Sequence, residues 1–118
     1  MDKEKISQLA AAGIDVQEAM GRFMGNEALM MKFLLRFPQD QSFNELKRAM
    51  ETKDAEQAYR AAHTLKGLAG NLAMKSLFDQ ACAVLADLRE ENMNGAEGKM
   101  EALERQYQGV LEALNSLD

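Results

Sequence analysis

The chain has 118 residues, a formal net charge of −5 and a charged fraction of 28%. This length predicts one domain over residues 1–118, and the acidity argues against nucleic acid as a partner, because the phosphate backbone rewards clustered positive charge. A single cysteine and a single histidine exclude an intrachain disulfide and a cysteine-based zinc site. Since there is neither a signal peptide nor an apolar run long enough to span a membrane, a cytoplasmic protein is expected.

Residue usage predicts an all-α fold. The chain contains 18 Ala, 15 Leu and 9 Met, but only 2 Ile, 3 Val and 2 Thr. Straight-chain residues favour helices, whereas the β-branched residues that favour strands are scarce. A hydrophobic content of 47% then indicates amphipathic helices around a shared core and argues against a disordered chain.

Three short helices are predicted near the N-terminus. The first covers residues 5–12, and the second covers residues 15–24 with Asp15 as a good N-cap. Asn26 is expected to cap the third helix. Pro38 is expected to end it, because the residue before a proline avoids the helical region.

Four longer helices are predicted to follow. They begin near Gln39, at Asp54, at Ser76 and near Gly98, with Asp54 and Ser76 as capping residues and residues 92–98 as a loop. Short loops between helices imply antiparallel neighbours. The expected architecture is therefore an antiparallel up-and-down four-helix bundle with additional short helices at its N-terminus.

The helix that begins at Asp54 carries the most informative pattern. At about 100° per residue, His63 lies about 160° from both Ala61 and Leu65, so the only histidine is predicted to point away from the core. The apolar stripe on the other side has the three- and four-residue spacing of a buried face. Its members are Ala58, Ala61, Ala62, Leu65, Leu68, Ala69 and Leu72.

Two glycines lie on the same face as His63. On the helical wheel Gly67 is about 40° and Gly70 about 20° away from it. Each glycine costs an exposed helix about 1 kcal/mol relative to alanine. The pair is expected to keep the surface beside the imidazole free of side chains; close packing of a neighbouring helix is the alternative. Lys66, one turn from His63, can reach the space above the ring and act as a point-charge partner for a phosphoryl group.

The segment 62–73 reads Ala-His-Thr-Leu-Lys-Gly-Leu-Ala-Gly-Asn-Leu-Ala. It closely resembles the signature of histidine-containing phosphotransfer (Hpt) domains. The resemblance extends upstream over residues 22–37 and downstream over residues 77–88, so it covers most of the chain. Ala73 departs from the pattern, since many members have glycine at that place.

The resemblance implies a phosphorelay intermediate. His63 would accept a phosphoryl group from the aspartyl phosphate of a receiver domain, such as one in a hybrid sensor histidine kinase, and pass it to another receiver. Lys66 would contact the phosphoryl group, while Gly67 and Gly70 would admit the receiver. Magnesium would belong to the receiver, so that the chain needs no cofactor or metal of its own. Because the sequence has no P-loop motif, a phosphocarrier is expected and not a kinase. The chain is expected to be a monomer.

A methionine-rich patch is predicted to contact the receiver as well. Met20, Phe23, Met24 and Met31 are expected to form an exposed surface for a receiver helix, the alternative being that they pack in the core. Two other functions stay open from the sequence. A helical adaptor without phosphotransfer would take no label from a phosphorylated receiver, and a haem or metal protein would require His63 to face inward.

Overall fold

Seven α-helices and one 3₁₀ turn form the part of the chain, residues 1–117, that the computed structural model describes. These residues contain no strand, so the predicted all-α fold is confirmed. No helix among them combines the length and the apolar character that a membrane crossing requires. The helices are α1 (Lys3–Ala11), α2 (Val16–Arg22), α3 (Glu27–Arg36), α4 (Ser42–Glu51), α5 (Ala55–Asn71), α6 (Lys75–Arg89) and α7 (Met93–Asn115), and the 3₁₀ turn is Phe37–Gln39.

Helices α4 to α7 form a bundle in which α4 packs on α5, α5 on α6 and α6 on α7. Two ion pairs link α4 and the turn that follows it to α7, the last helix of this bundle. Lys47 Nζ lies 2.9 Å from Glu104 Oε2, and Lys53 Nζ lies 2.8 Å from Glu97 Oε1. The short helices pack at its side, with α1 and α3 against α7 and α2 between them. The predicted four-helix bundle with additional N-terminal helices is therefore confirmed.

The core joins the apolar stripes of all seven helices. Phe43 stacks on Tyr107 with 4.2 Å between the ring centroids, and burial, together with the negative charge of Asp40, raises the pKa of the Tyr107 hydroxyl. On α5 the predicted stripe is buried with one exception, because Leu68 is only half-buried. The opposite side of α5 faces solvent, which leaves it open to a partner.

In five helices the second residue after the helix end has a positive φ, and these residues are Gly13, Met24, Lys53, Ala73 and Glu91. The amide after each of them donates to the carbonyl five residues before it, as Asp54 N does to Ala49 O at 2.8 Å. Asp54 then caps the next helix with its side chain, and Asn92 does the same after Glu91. Such turns are so short that consecutive bundle helices must run antiparallel.

The start of α7 differs most from its predicted position. The helix begins at Met93 and not near Gly98, because the Asn92 side chain accepts a hydrogen bond from Gly95 N at 3.0 Å. The Asn-Gly pair, read from sequence as a loop, thus lies in the first turn of the helix. Helix α4 begins at Ser42, a few residues later than predicted, because the 3₁₀ turn precedes it.

Helix α6 begins without the side-chain cap that was predicted at Ser76. Its N-cap residue is Met74, whose side chain accepts no capping hydrogen bond. The amide of Lys75 donates instead to the carbonyl of Gly13 at 2.7 Å. The prediction at Ser76 was wrong because the backbone of a distant turn satisfies this helix end.

An antiparallel β-bridge between Ile14 and Met74 ties the α1–α2 turn to the α5–α6 turn. Asp15 N donates to Ala73 O at 2.9 Å within this contact. Ala73 has a φ of 54°, a left-handed conformation that costs a residue with a Cβ about 1–2 kcal/mol. Ala73, the one departure from the Hpt signature, therefore has a backbone conformation that glycine would adopt without this cost.

Gly13→Ala is expected to destabilise the protein, although replacement of glycine by alanine stabilises a helix at most positions. Gly13 has a φ of 85°, and a Cβ there would lie 2.6 Å from Ser76 Oγ. We expect the free energy of unfolding to fall by about 2 kcal/mol. The control Gly98→Ala, at a helical site with nothing within 4 Å, should raise it by up to about 1 kcal/mol. Urea unfolding followed by circular dichroism measures the free energy of unfolding of both variants. Equal values for the two variants would contradict the argument that the turn at Gly13 has no room for a Cβ.

Candidate functional site

His63 lies near the middle of α5 with its side chain exposed to solvent. Ala61 and Leu65, each about 160° from it around the helix, are 3% and 0% exposed, so His63 stands on the face opposite the core. The predicted exposure is confirmed, and the inward orientation that a haem ligand would need is not found. Within residues 1–117 no group of three or more His, Cys, Asp or Glu side chains is arranged to hold a metal ion.

Tyr59 flanks the imidazole on its N-terminal side. The two ring centroids are 6.3 Å apart and the ring planes differ by 26°. Tyr59 is half-buried and packs against the core, so its ring covers the N-terminal side of the imidazole. It was not among the predicted site residues, although a spacing of four residues places two side chains on the same helix face. The open side of His63 is therefore the C-terminal one.

The two glycines on that side have different surroundings. A Cβ at Gly67 would meet nothing within 4 Å, which is the clearance that the sequence predicts. A Cβ at Gly70 would lie 3.2 Å from Cε1 of Phe78 on α6, so Gly70 also lets a neighbouring side chain pack closely. The alternative of helix packing thus applies to Gly70, whereas Gly67 leaves open surface next to His63.

The cationic side chains around His63 differ in their availability. Lys66 is half-buried, and among residues 1–117 it forms no ion pair. Arg60, on the other flank of His63, forms an exposed ion pair, since its Nη2 lies 3.2 Å from Oε1 of Glu56 one turn earlier. Lys66 is therefore the uncommitted positive charge within one turn of the imidazole.

The methionine patch predicted for receiver contact does not form as expected. Met20, Phe23 and Met31 are partly buried and pack against the core, because α2 and α3 lie against the bundle. Met24, at the turn between α2 and α3, is 94% exposed. Contact of Met24 or Met31 with a receiver stays a prediction, but of the four side chains only Met24 is fully exposed.

A groove with a volume of about 850 Å³ lies beside the second half of α5. Its apolar lining, which gives the phenylalanine groove its name here, is Phe23, Phe33, Phe37, Leu68 and Leu72, and its polar lining is Arg22, Arg36, Gln39, Asp40 and Asn71. Phe23 and Phe33 stack with 5.4 Å between ring centroids. The groove was not predicted, because its walls come from separate helices. The periodicity of apolar residues within one helix does not show how that helix packs against the others.

The family model for the Hpt domain matches residues 33–114, from α3 to the end of α7. The chain belongs to the Hpt domain family. No curated protein and no solved structure matches the chain. Hpt domains are phosphocarriers that perform histidine phosphotransfer in phosphorelays and interact with receiver domains of two-component systems. In this Hpt domain the matched segment contains His63, Lys66, Gly67 and Gly70, whereas α1 and α2 precede it.

The exposed face of this Hpt domain has the chemical groups that phosphoryl transfer needs. An unprotonated imidazole nitrogen is a nucleophile, and a Cβ at the nearby Gly67 would have no atom within 4 Å. Phosphoryl transfer depends chiefly on positioning and on neutralisation of charge. The uncommitted ammonium of Lys66 supplies positive charge on the same side of the helix.

Proposed function

We propose that this Hpt domain accepts a phosphoryl group on His63 from the aspartyl phosphate of one receiver domain and passes it to another receiver. The observation that carries the proposal is the exposed imidazole of His63 beside the open backbone of Gly67. A receiver's aspartyl phosphate lies in a pocket of a whole folded domain. It reaches a histidine only where neighbouring side chains leave room.

The transfer balances without a further reactant. The unprotonated ring nitrogen attacks phosphorus in line, a phosphorus–nitrogen bond forms, and the bond from phosphorus to the aspartyl oxygen breaks, so that the aspartate leaves as a carboxylate. Transfer to the second receiver is the reverse step on another aspartate. Magnesium on the receiver and Lys66 on this chain would share the negative charge of the transferred group.

The proposal is tested with a panel of receiver domains that carry radiolabelled aspartyl phosphate. We expect at least one receiver to transfer label to the chain, and the labelled chain, once purified, to transfer it to a second receiver. Incubation with labelled ATP alone should leave the chain unlabelled. If no phosphorylated receiver labels the folded chain, the domain is a helical adaptor without phosphotransfer and the proposal is wrong.

Lys66→Ala is expected to slow transfer without preventing it. A hydrogen bond to a charged group contributes about 1.5–3 kcal/mol, which corresponds to a rate loss of about ten- to a hundredfold. The helix should remain intact, because alanine is the better helix former. Single-turnover transfer from a receiver measures the rate. Lys3→Ala, which removes an equal charge on α1, is the control, and equal rates for the two variants would reduce Lys66 to a solvated side chain.

A further inference from the structure

The rim of the phenylalanine groove carries positive charge in an otherwise acidic protein. Arg22 ends α2 and Arg36 ends α3, and both line the groove with exposed side chains. Among residues 1–117 neither arginine forms an ion pair. The one carboxylate in the lining, Asp40, accepts a hydrogen bond from Ser42 N at 2.9 Å. Within the described residues, the guanidinium groups of Arg22 and Arg36 at the groove therefore have no carboxylate partner.

The arginine rim lies directly against apolar surface. The Arg36 guanidinium carbon is 5.8 Å from the centroid of the Phe33 ring, a cation–π arrangement that holds the charge over the groove. Phe33 itself is 39% exposed, and Leu29, one turn earlier on the same face of α3, is also 39% exposed. Clustered exposed apolar side chains mark interaction surfaces. The complementary ligand is thus an apolar side chain accompanied by carboxylates.

The groove lies within reach of a protein seated on His63. Asn71, in its lining, follows His63 by about 12 Å along the axis of α5 and by about 80° around it, whereas Leu68 and Leu72 lie about 140° and 180° around the helix. Arg22 also lines a small cleft that contains Gly70 and Phe78, so it stands between the groove and the glycine face of α5. A typical protein interface covers about 800 Å² on each partner, which is enough to span both.

We infer that Arg22 and Arg36 are specificity-determining residues that select receiver domains with an acidic surface beside the phosphorylated aspartate. The receiver would place an apolar side chain in the phenylalanine groove and carboxylates on the two guanidinium groups. Charge complementarity of this kind raises the association rate and rejects partners of the wrong sign. The inference rests on the proposed function, because the occupant is the same receiver that exchanges phosphoryl groups with His63.

The test compares two double variants with the same change of charge. R22E/R36E reverses the rim, and the control R48E/R89E reverses two exposed arginines in the last turns of α4 and α6. Because all four arginines lie in last helical turns, both variants lose the same favourable interaction with the helix dipole. The phosphorylated receivers are chosen in two groups, with acidic or with basic surfaces around the aspartate.

We expect R22E/R36E to raise the KM for acidic receivers at least tenfold relative to R48E/R89E, with little change in kcat, and to erase the preference for acidic over basic receivers. Equal KM values for the two variants would overturn the role of the rim. The inference would also be overturned if sedimentation showed that the wild type is a dimer, that R48E/R89E remains one and that R22E/R36E is a monomer. A second copy of the chain would then occupy the groove.

Phosphoramidate, a small donor that needs no docking, separates this inference from the proposed function. It should label wild type and R22E/R36E at equal rates, and a selective loss in R22E/R36E would overturn a docking role. If phosphoramidate labels the wild type but no receiver does, the proposed function itself fails, and the assignment of the rim fails with it.

Discussion

His63→Gln is expected to abolish phosphoryl transfer from every receiver while leaving the bundle folded. His63 is the only histidine, and glutamine offers no ring nitrogen as a nucleophile. The side chain is exposed, so the free energy of unfolding should change by about 0.5 kcal/mol or less. Transfer assays and urea unfolding on the same preparations measure the two effects.

The chemistry of the label provides the control for His63. A phosphorus–nitrogen bond is labile in acid and stable in base, so label on the wild-type chain should be lost in acid and retained in base. Label that survives acid, or that persists on His63→Gln, would place the phosphoryl group elsewhere. Unfolding of the variant would show that the imidazole supports the fold, against its exposed position.

Gly67→Leu is expected to reduce transfer from receivers by about a hundredfold and to leave the fold intact. Productive transfer requires the reacting atoms about 3–3.5 Å apart, and a displacement near 1 Å costs about a hundredfold. A leucine at Gly67 would fill space that is now empty and meet the rim of the receiver pocket first. The bundle should gain up to about 1 kcal/mol, because leucine is a better helix former than glycine.

The matched control for Gly67→Leu is Gly98→Leu, since Gly98 is also helical and has nothing within 4 Å of a built Cβ. Gly98→Leu should transfer like the wild type. Phosphoramidate should label His63 in both variants at normal rates. If Gly67→Leu unfolds the chain, Gly67 is needed for close packing of a neighbouring helix, and its role in docking is wrong. If it loses labelling by phosphoramidate as well, the leucine has blocked the imidazole itself and the docking argument fails.

The placement of His63 could be predicted because it depends on one helix alone. The period of the apolar stripe on α5 fixes which side is buried, and His63 lies opposite to it. Helix ends were harder, because Lys53 and Glu91 adopt the left-handed conformation that sequence usually signals by glycine. Asn92 followed by an Asn-Gly pair therefore looked like a loop, although Asn92 both ends one turn and caps α7.

The surroundings of His63 could be predicted only in part. Gly67 was identified from its helical angle, whereas the contact of Gly70 with Phe78 depends on how α6 crosses α5. The phenylalanine groove likewise requires α2, α3 and α5 to meet, and no pattern within one segment encodes that meeting. Tyr59 is the exception, since its spacing from His63 was visible in the sequence.

The bridge between Ile14 and Met74 also has a consequence for shortened forms of this protein. The family match begins at residue 33, inside α3. A fragment that began there would lack the carbonyl that Lys75 N–H donates to and the amide that donates to Ala73 C=O. It would also lack Ile14, the bridge partner of Met74, which is 0% exposed in the full chain. The α1–α2 turn therefore packs against the α5–α6 turn of the bundle, and we expect a fragment that begins at residue 33 to be less stable than the full chain.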